Sequence, residues 1–398
     1  MCHAGEMNTP ASRTKPRSAV VGVGYSPFSH ESGQTVLELA ATAARNALTD
    51  AGLTAADVDG VATYAMADSV PAQALATTLQ MEEINYLVDL SLGGQAPAFL
   101  LLQADAAIRA RLAHTILIYR ALNGRSGIRI GRSFADSEVP ISVANRLAQG
   151  LTAYPQLIAM WARRFMIETG ATEDDLAAVV LAQRWYAERN PRAIVRKLLT
   201  LDDYYASPMV VSPFRVADCT REVDAACAVV VTIVERARHL RWPAALILGG
   251  AFASGPRPGA EVGDILMTDD YSRNCMHYVG QRLWARTGFS PQDVDVAELY
   301  DCFSSAVLFA LEGLGFVGRG ESGEFVRAGE TAVGGKLPVN THGGLLAEGY
   351  VHGMNSVNEA VLQLRGDAGE RTVAGASTAL VSSGTLMDGA AVILGLDG

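Results

Sequence analysis

Asn340-Thr-His-Gly-Gly-Leu-Leu-Ala-Glu-Gly-Tyr350-Val-His352-Gly-Met-Asn355 concentrates reactive side chains as no other stretch of the chain does. With Gly335 upstream, it sets two histidines, a tyrosine, two asparagines and five glycines (335, 343, 344, 349 and 353) within twenty-one residues. Glycines at this density permit turns with positive φ and let backbone N–H groups approach a ligand. Tyr350 and His352, two positions apart between Gly349 and Gly353, read as presented on a loop rather than buried in a helix. The bland alternative is a turn between core elements whose polar residues merely satisfy the backbone.

Working outward, 398 residues suffice for two or three ordinary domains or one large α/β unit with a duplicated core. A composition 49% hydrophobic and 19% charged supports a sizeable buried core. The net charge of −10 argues against a nucleic-acid partner, because phosphate neutralisation needs a basic face. The apolar run Ala244 to Ala253 is too short to span a bilayer, so no membrane partner is expected. Residues 1–17 read as a loose polar tail without a signal core, which together with reduced thiols predicts a cytoplasmic protein. Cys2, Cys219, Cys227, Cys275 and Cys302 form no Cys-x-x-Cys pair and have no histidine at zinc-ligand spacing, so no metal site is expected.

Ser18 to Gly24 reads as a buried strand. Its Gly22-x-Gly24 is no dinucleotide fingerprint, since Tyr25-Ser26-Pro27 follows where a helix should open. Thr35 to Ala51 reads as a helix with Leu37, Ala40, Ala41, Ala44 and Leu48 on one face. Ala51-Gly-Leu-Thr-Ala-Ala-Asp-Val-Asp-Gly-Val-Ala-Thr-Tyr64 then returns as Thr287-Gly-Phe-Ser-Pro-Gln-Asp-Val-Asp-Val-Ala-Glu-Leu-Tyr300, with five of fourteen positions identical. Both copies carry a helix end at glycine, a capped turn and a strand, which predicts two similar halves. Each half also holds a Gly-Gly pair opening an apolar helix, Gly93-Gly94 and Gly343-Gly344. The predicted division is a tail over 1–17, one half over 18–250 and a second over 251–398. Within the first half, Arg120 to Arg146 reads as polar and loop-like, and 120–215 as an insertion, or lid, covering the core.

A duplicated α/β chain of this size, with Asn-x-x-Gly-Gly…Gly-x-x-x-Gly near its end, resembles the thiolase superfamily over residues 18–396. The sterol-carrier, lipid-transfer branch is matched by Asn190-Pro-Arg, Asp218-Cys219-Thr and Ala225-Ala-Cys-Ala-Val-Val-Val. The resemblance implies a five-layer αβαβα fold. It also places the thiolase nucleophile within Leu90 to Ala96, where there is no cysteine; Ser91 has no nearby general base. Tyr300 falls on the catalytic asparagine, Tyr350 on the catalytic histidine, and Ser382-Ser383-Gly384 on the late cysteine.

Paired tyrosines at those positions resemble the bacterial aldolases that cleave steroid side chains by retro-aldol reaction of a β-hydroxyacyl-CoA. The resemblance implies Tyr300 and Tyr350 as catalytic residues, releasing a ketone and propionyl-CoA or acetyl-CoA from a substrate with a 17-hydroxyl. Such cleavage needs a base for the hydroxyl, an oxyanion site for the enolate and an acid for Cα, but no covalent nucleophile. Tyr350 is assigned to the hydroxyl and Tyr300 to the enolate end, with the reverse open. His352 can tune a phenol or donate to the thioester oxygen. Asp301 either orients a tyrosine or caps a helix, Asn340 has a structural role, and His342 is open, as are Gly343 and Gly344 beside it. Cys302 reads as a small buried residue and Tyr64 as core. Gly93, Gly94, Ser383 and Gly384 are candidates to line the substrate site. Arg192, Arg196 and Lys197 are candidates for the coenzyme A phosphates, or else a solvated basic helix end. Coenzyme A is expected only as part of the substrate. A homodimer is expected, joined by an OB-fold, zinc-ribbon partner into a heterotetramer, with Tyr204-Tyr205 and Pro208 to Pro213 as docking surface or lid. The alternatives are an acyltransferase with another nucleophile and a silent acyl-CoA- or lipid-binding scaffold.

Overall fold

The computed structural model describes residues 13, 15–127, 129, 147–255, 270–384 and 386–397. Most of the predicted N-terminal tail and the segment 130–146 lie outside the described residues. Nine strands form one sheet: β1 (Ser18–Tyr25), β2 (Gly60–Tyr64), β3 (Tyr86–Leu90), β4 (Thr115–Asn123), β5 (Asp224–Ile233), β6 (Ala245–Ser254), β7 (Val296–Glu298), β8 (Thr378–Ser383) and β9 (Asp388–Gly395). Their order is β3-β2-β4-β5-β1-β6-β9-β8-β7. Read outward from the β1–β6 seam, the two halves mirror each other, and among the described residues the parallel bridge of Val339 to Ala297 takes the place that β3 holds in the first half. The division drawn at residue 250 falls inside β6, which pairs with β9 along most of its length and so belongs with the second half.

The principal helices are α1 (Val36–Ala51), α2 (Ala72–Thr78), α3 (Ala96–Arg109), α4 (Tyr154–Thr169), α5 (Glu173–Glu188), α6 (Cys275–Thr287), α7 (Ser304–Gly313), α8 (Gly344–Ala347) and α9 (Met354–Arg365). The repeat is realised as matching local geometry. Gly52 ends α1 at φ 69° and Gly288 ends α6 at φ 66°. Each is followed by a single 3₁₀ turn closed by a reciprocal cap, Thr54 with Asp57 and Ser290 with Asp293, and then by a strand. Helices α3 and α9 touch strands of both halves and form the middle layer. Helices α1 and α2 cover one outer face, and α6 and α7 the other. The two halves of the sheet share only two residue pairs along the β1–β6 seam and have α3 and α9 between them, so they count as separate layers of a five-layer α/β arrangement.

The Gly22-x-Gly24 pair serves helix packing: a Cβ at Gly22 would lie 2.8 Å from the Ala51 Cβ, and one at Gly24 2.9 Å from the Ala47 Cα. Glycine in β1 and alanines on α1 therefore let helix and strand meet at backbone distance. On that face Leu48 is buried as expected, and Leu39 is buried in place of Leu37. Helices α4 and α5 belong to the core of the second half, where Trp161, Phe165, Leu176 and Val180 pack with Phe309. One expectation fails clearly. Strand β4 runs on through Arg120 to Asn123, paired along its whole length with β5, so the loop begins later than the polar residues suggest. Arg120 is fully buried.

Candidate active site

Tyr300 follows β7, where its backbone N–H donates to the Ser382 hydroxyl at 3.0 Å. Its ring is wedged between the N-termini of the two central helices. A Cβ at Gly94, before α3, would overlap the Tyr300 phenol, and one at Gly353, before α9, would lie 3.1 Å from its Cδ2. Ser383 and Gly384 fix this turn: the Ser383 hydroxyl donates to the Gln95 carbonyl at 3.0 Å and the Gly384 N–H to the Gly94 carbonyl at 2.9 Å. Gly93 abuts the Met66 sulfur on the far side. Tyr350 stands opposite, its N–H held by the Arg221 carbonyl at 2.8 Å. The two phenol oxygens are 2.7 Å apart. Burial first, and then each other's presence, raises Tyr300 well above the ordinary tyrosine value; burial does the same to Tyr350. Both are neutral phenols, one donating to the other.

The His352 ring packs edge-on against the Tyr350 ring with centroids 4.6 Å apart. It is buried and its backbone is left-handed at φ 49°, a strained conformation for a residue with a side chain. Arg120 donates to its Nδ1 from Nε at 3.1 Å and from Nη2 at 2.8 Å. A guanidinium has only donors, so Nδ1 carries the lone pair and the neutral ring keeps its proton on Nε2. Burial and the Arg120 charge, opposed by Asp68, depress His352 to about 3. The loop expectation for Tyr350 and His352 holds, but exposure does not: the whole stretch from Asn340 to Leu364 is buried.

That stretch is held by a buried ionic cluster. Glu298 accepts from Thr341 Oγ1 at 2.7 Å and pairs with His342 Nδ1 at 2.8 Å. Glu348 accepts from Asn190 at 2.8 Å, Arg192 at 3.2 Å and Asn355 at 2.7 Å. Glu359 pairs with Arg371 at 3.0 Å and Arg192 at 3.5 Å. Burial opposes charge on His342, yet Glu348 and Glu298 outweigh it and hold it up to about 9. Three carboxylates thus face Arg192, Arg371 and a protonated His342.

The other expected site residues have these surroundings in the fold. Arg192 is not a free phosphate ligand: its guanidinium is committed to two buried glutamates and lies 4.2 Å from the centroid of the Tyr25 ring. Arg196 and Lys197 are exposed, and Arg196 donates to the Glu188 carbonyl at the end of α5. Asp301 orients neither tyrosine; it accepts the Leu345 N–H at 3.0 Å, and burial pushes its carboxyl up to about 7. Gly343 packs on Ala187 and Gly344 on Asp301 and Gln183, so this pair opens only the one-turn α8, and Gly353 opens the long helix. Asn340 accepts the Leu299 N–H at 2.7 Å through its side-chain oxygen. Cys302 is buried beside the phenols, its thiol pushed far up by burial, and Ser91 is exposed. Tyr204 is buried and donates to Asp218, which leaves Tyr205 as the exposed member of that pair.

Known proteins similar to this chain match it over nearly their whole length. It is 39% identical over 385 residues to 17-hydroxy-3-oxo-4-pregnene-20-carboxyl-CoA lyase of Mycobacterium tuberculosis, covering 95% of this chain and 99% of that one. It is 38% identical to the steroid side-chain-cleaving aldolase of Thermomonospora curvata, covering 96% and 98%. The chain belongs to the steroid side-chain-cleaving aldolases of the thiolase superfamily. The solved Ltp2-ChsH2(DUF35) aldolase superposes with a TM-score of 0.90 at 37% identity, covering 97% of this chain and 99% of that chain. A family model described as thiolase C-terminal domain-like matches residues 260–396. Human mitochondrial 3-ketoacyl-CoA thiolase, at 16% identity and a TM-score of 0.69, shares the fold.

In this aldolase, sequence reasoning missed Arg120 and Asp68, whose carboxylate takes a further Arg120 hydrogen bond at 2.6 Å. One signal was available. Arg120 interrupts an otherwise apolar run, Thr115-Ile-Leu-Ile-Tyr-Arg-Ala-Leu, and a charge in the middle of a buried strand needs a partner. The buried glutamates had no such signal, because Glu298, Glu348 and Glu359 stand at spacings that the chain brings together only by folding.

Proposed function

We propose that this chain cleaves the Cα–Cβ bond of a β-hydroxyacyl-CoA thioester by retro-aldol reaction, with Tyr300 and Tyr350 as a proton relay. The observation that carries this reading is the phenol pair at 2.7 Å, at the positions matched to the thiolase asparagine and histidine, in a chain with no cysteine in Leu90 to Ala96. A neutral phenol is a weak base by itself, but two in contact can pass a proton along. In one concerted shift the Cα–Cβ bond breaks with its electron pair drawn toward the thioester as an enolate, Tyr300 gives its proton to Cα, Tyr350 gives its own to Tyr300, and the substrate hydroxyl gives its own to Tyr350. The Cβ oxygen becomes a ketone, the proton lost by the hydroxyl is balanced by the one gained at Cα, and neither phenol carries two protons at any point. His352, neutral with its proton on Nε2, donates to the thioester oxygen on which the enolate charge develops.

The substrate is a steroid side chain bearing a tertiary 17-hydroxyl, as in the name of the Mycobacterium tuberculosis relative. Cleavage then leaves a 17-ketone, with propionyl-CoA where Cα carries a methyl group and acetyl-CoA where it does not. The functional unit we infer is a homodimer completed by an OB-fold, zinc-ribbon protein. Two features support a second polypeptide. One is the paired name of the Ltp2-ChsH2(DUF35) aldolase, and the other is an exposed apolar segment that includes Leu198, Leu201, Tyr205, Met209 and Val210. The deciding experiment replaces each tyrosine by phenylalanine and follows CoA-product release from a 17-hydroxy steroid thioester, with and without the zinc-ribbon protein. Each loss of a hydroxyl should slow turnover by about 100- to 10,000-fold with the fold intact. Wild-type turnover in both variants would end the assignment, and a monomer by sedimentation would end the assembly.

A further inference from the structure

We propose that Arg120 and Asp68 are positioning residues that lock His352 into one tautomer and one charge, making it a pH-independent hydrogen-bond donor. The geometry is closed on every side. Arg120 stands mid-way along β4, fully buried, and places Nε and Nη2 on the His352 Nδ1 lone pair. Its remaining Nη1 donates to the Ala121 carbonyl at 2.9 Å, and Nη2 is anchored by Asp68 Oδ2. From β2, the Tyr64 hydroxyl donates to the His352 carbonyl at 3.1 Å, and the Tyr64 ring centroid lies 5.4 Å from the guanidinium carbon. On its own loop, Tyr350 presents its ring to the imidazole. Of these facing groups none accepts a proton from Nδ1, and the one carboxylate is satisfied through Arg120 rather than through the ring.

This is the reverse of the arrangement that makes histidine a base. A carboxylate on Nδ1–H raises basicity and favours the imidazolium. A guanidinium on Nδ1 forbids that proton, and its charge opposes protonation anywhere on the ring. Burial acts in the same sense. The strained backbone of His352 and the Tyr64 contact to its carbonyl fix where the ring sits, and Arg120 fixes how it is turned. Asp68 lies on the loop after β2, where Met66 packs against Gly93, so the anchor belongs to the same wall as the turn beside Tyr300. The step that His352 serves rests on the retro-aldol reading, whereas its protonation state does not, and the test separates the two.

The experiment is nitrogen-15 NMR of the whole protein labelled at histidine, with His352 assigned by difference from H352Q. In the wild type, His352 should show the neutral form protonated on Nε2, unchanged between about pH 5 and 8. In R120M it should titrate in that window, and kcat/KM should gain an acidic limb absent from the wild type. R120K, which restores a cation, should flatten the profile again. D68N removes the anion that favours the imidazolium, so its ring should stay neutral throughout, as in the wild type, and a D68N ring that titrates in this window would overturn the proposal. A wild-type His352 that titrates in this range or carries its proton on Nδ1, or an R120M ring that stays untitrated, would overturn the proposal. An invariant ring in a protein without lyase activity would instead refute the retro-aldol reading alone.

Discussion

Gly94→Ala is the sharpest perturbation that the structure offers, because it adds one methyl group at the reacting centre and removes no polar atom. The new Cβ would coincide with the hydroxyl end of Tyr300. Gly353 borders the same edge of the ring, where a Cβ would sit 3.1 Å from Cδ2, so the added methyl meets the phenol where backbone already crowds it. Relieving the overlap shifts the phenol by about an ångström or more, which breaks the 2.7 Å contact with Tyr350. Overpacking of this kind costs about 1–3 kcal/mol of stability, which a chain of this size can absorb. Misplacing a reacting group by about 1 Å costs roughly 100-fold in rate, equivalent to about 2.7 kcal/mol of barrier. The assay is steady-state cleavage of a β-hydroxyacyl-CoA beside a thermal melt of the same sample. A folded G94A with kcat down about 100-fold is expected. A folded G94A with wild-type kcat would refute the claim that the Tyr300–Tyr350 contact carries the reaction.

Two further outcomes follow from the buried groups. His342 is held at about 9 in the folded protein, against about 6.5 when unfolded, so its stabilising contribution is complete below about pH 6.5 and is lost as pH rises through 9. On the order of 3 kcal/mol should therefore disappear across that interval in urea denaturation, and H342Q should flatten the slope; an equal slope in H342Q would assign the loss to other groups. Iodoacetamide should leave activity intact, since burial pushes the Cys227, Cys275 and Cys302 thiols up and Cys219 up to about 12. Inactivation that tracks a single label on Cys302, or an acyl group trapped on any side chain, would instead support acyl transfer.

The sequence by itself determined the duplicated plan. Glycine at a helix end, a Ser or Thr cap three residues before Asp, and a short apolar strand are local devices, and the copies at 51–64 and 287–300 fold alike because each is built from its neighbours. It also determined the tyrosine pair, through motif positions where side-chain type survives without geometry. Tertiary structure alone decided what those residues touch. The apolar run around Arg120 signals only that its charge needs a partner, and nothing local to it announces that a histidine 232 residues later will accept its hydrogen bonds. Arg192 reads as a solvated cation from its basic neighbours, yet folding surrounds it with Glu348 and Glu359 and removes it from water. A buried charge is legible only when its counter-charges are known, and both of these glutamates lie more than a hundred residues from Arg192 in sequence. The glycines divide in the same way. Their turn-forming role is local, but that Gly94 and Gly353 make room for one phenol ring follows only from the packing of α3 against α9.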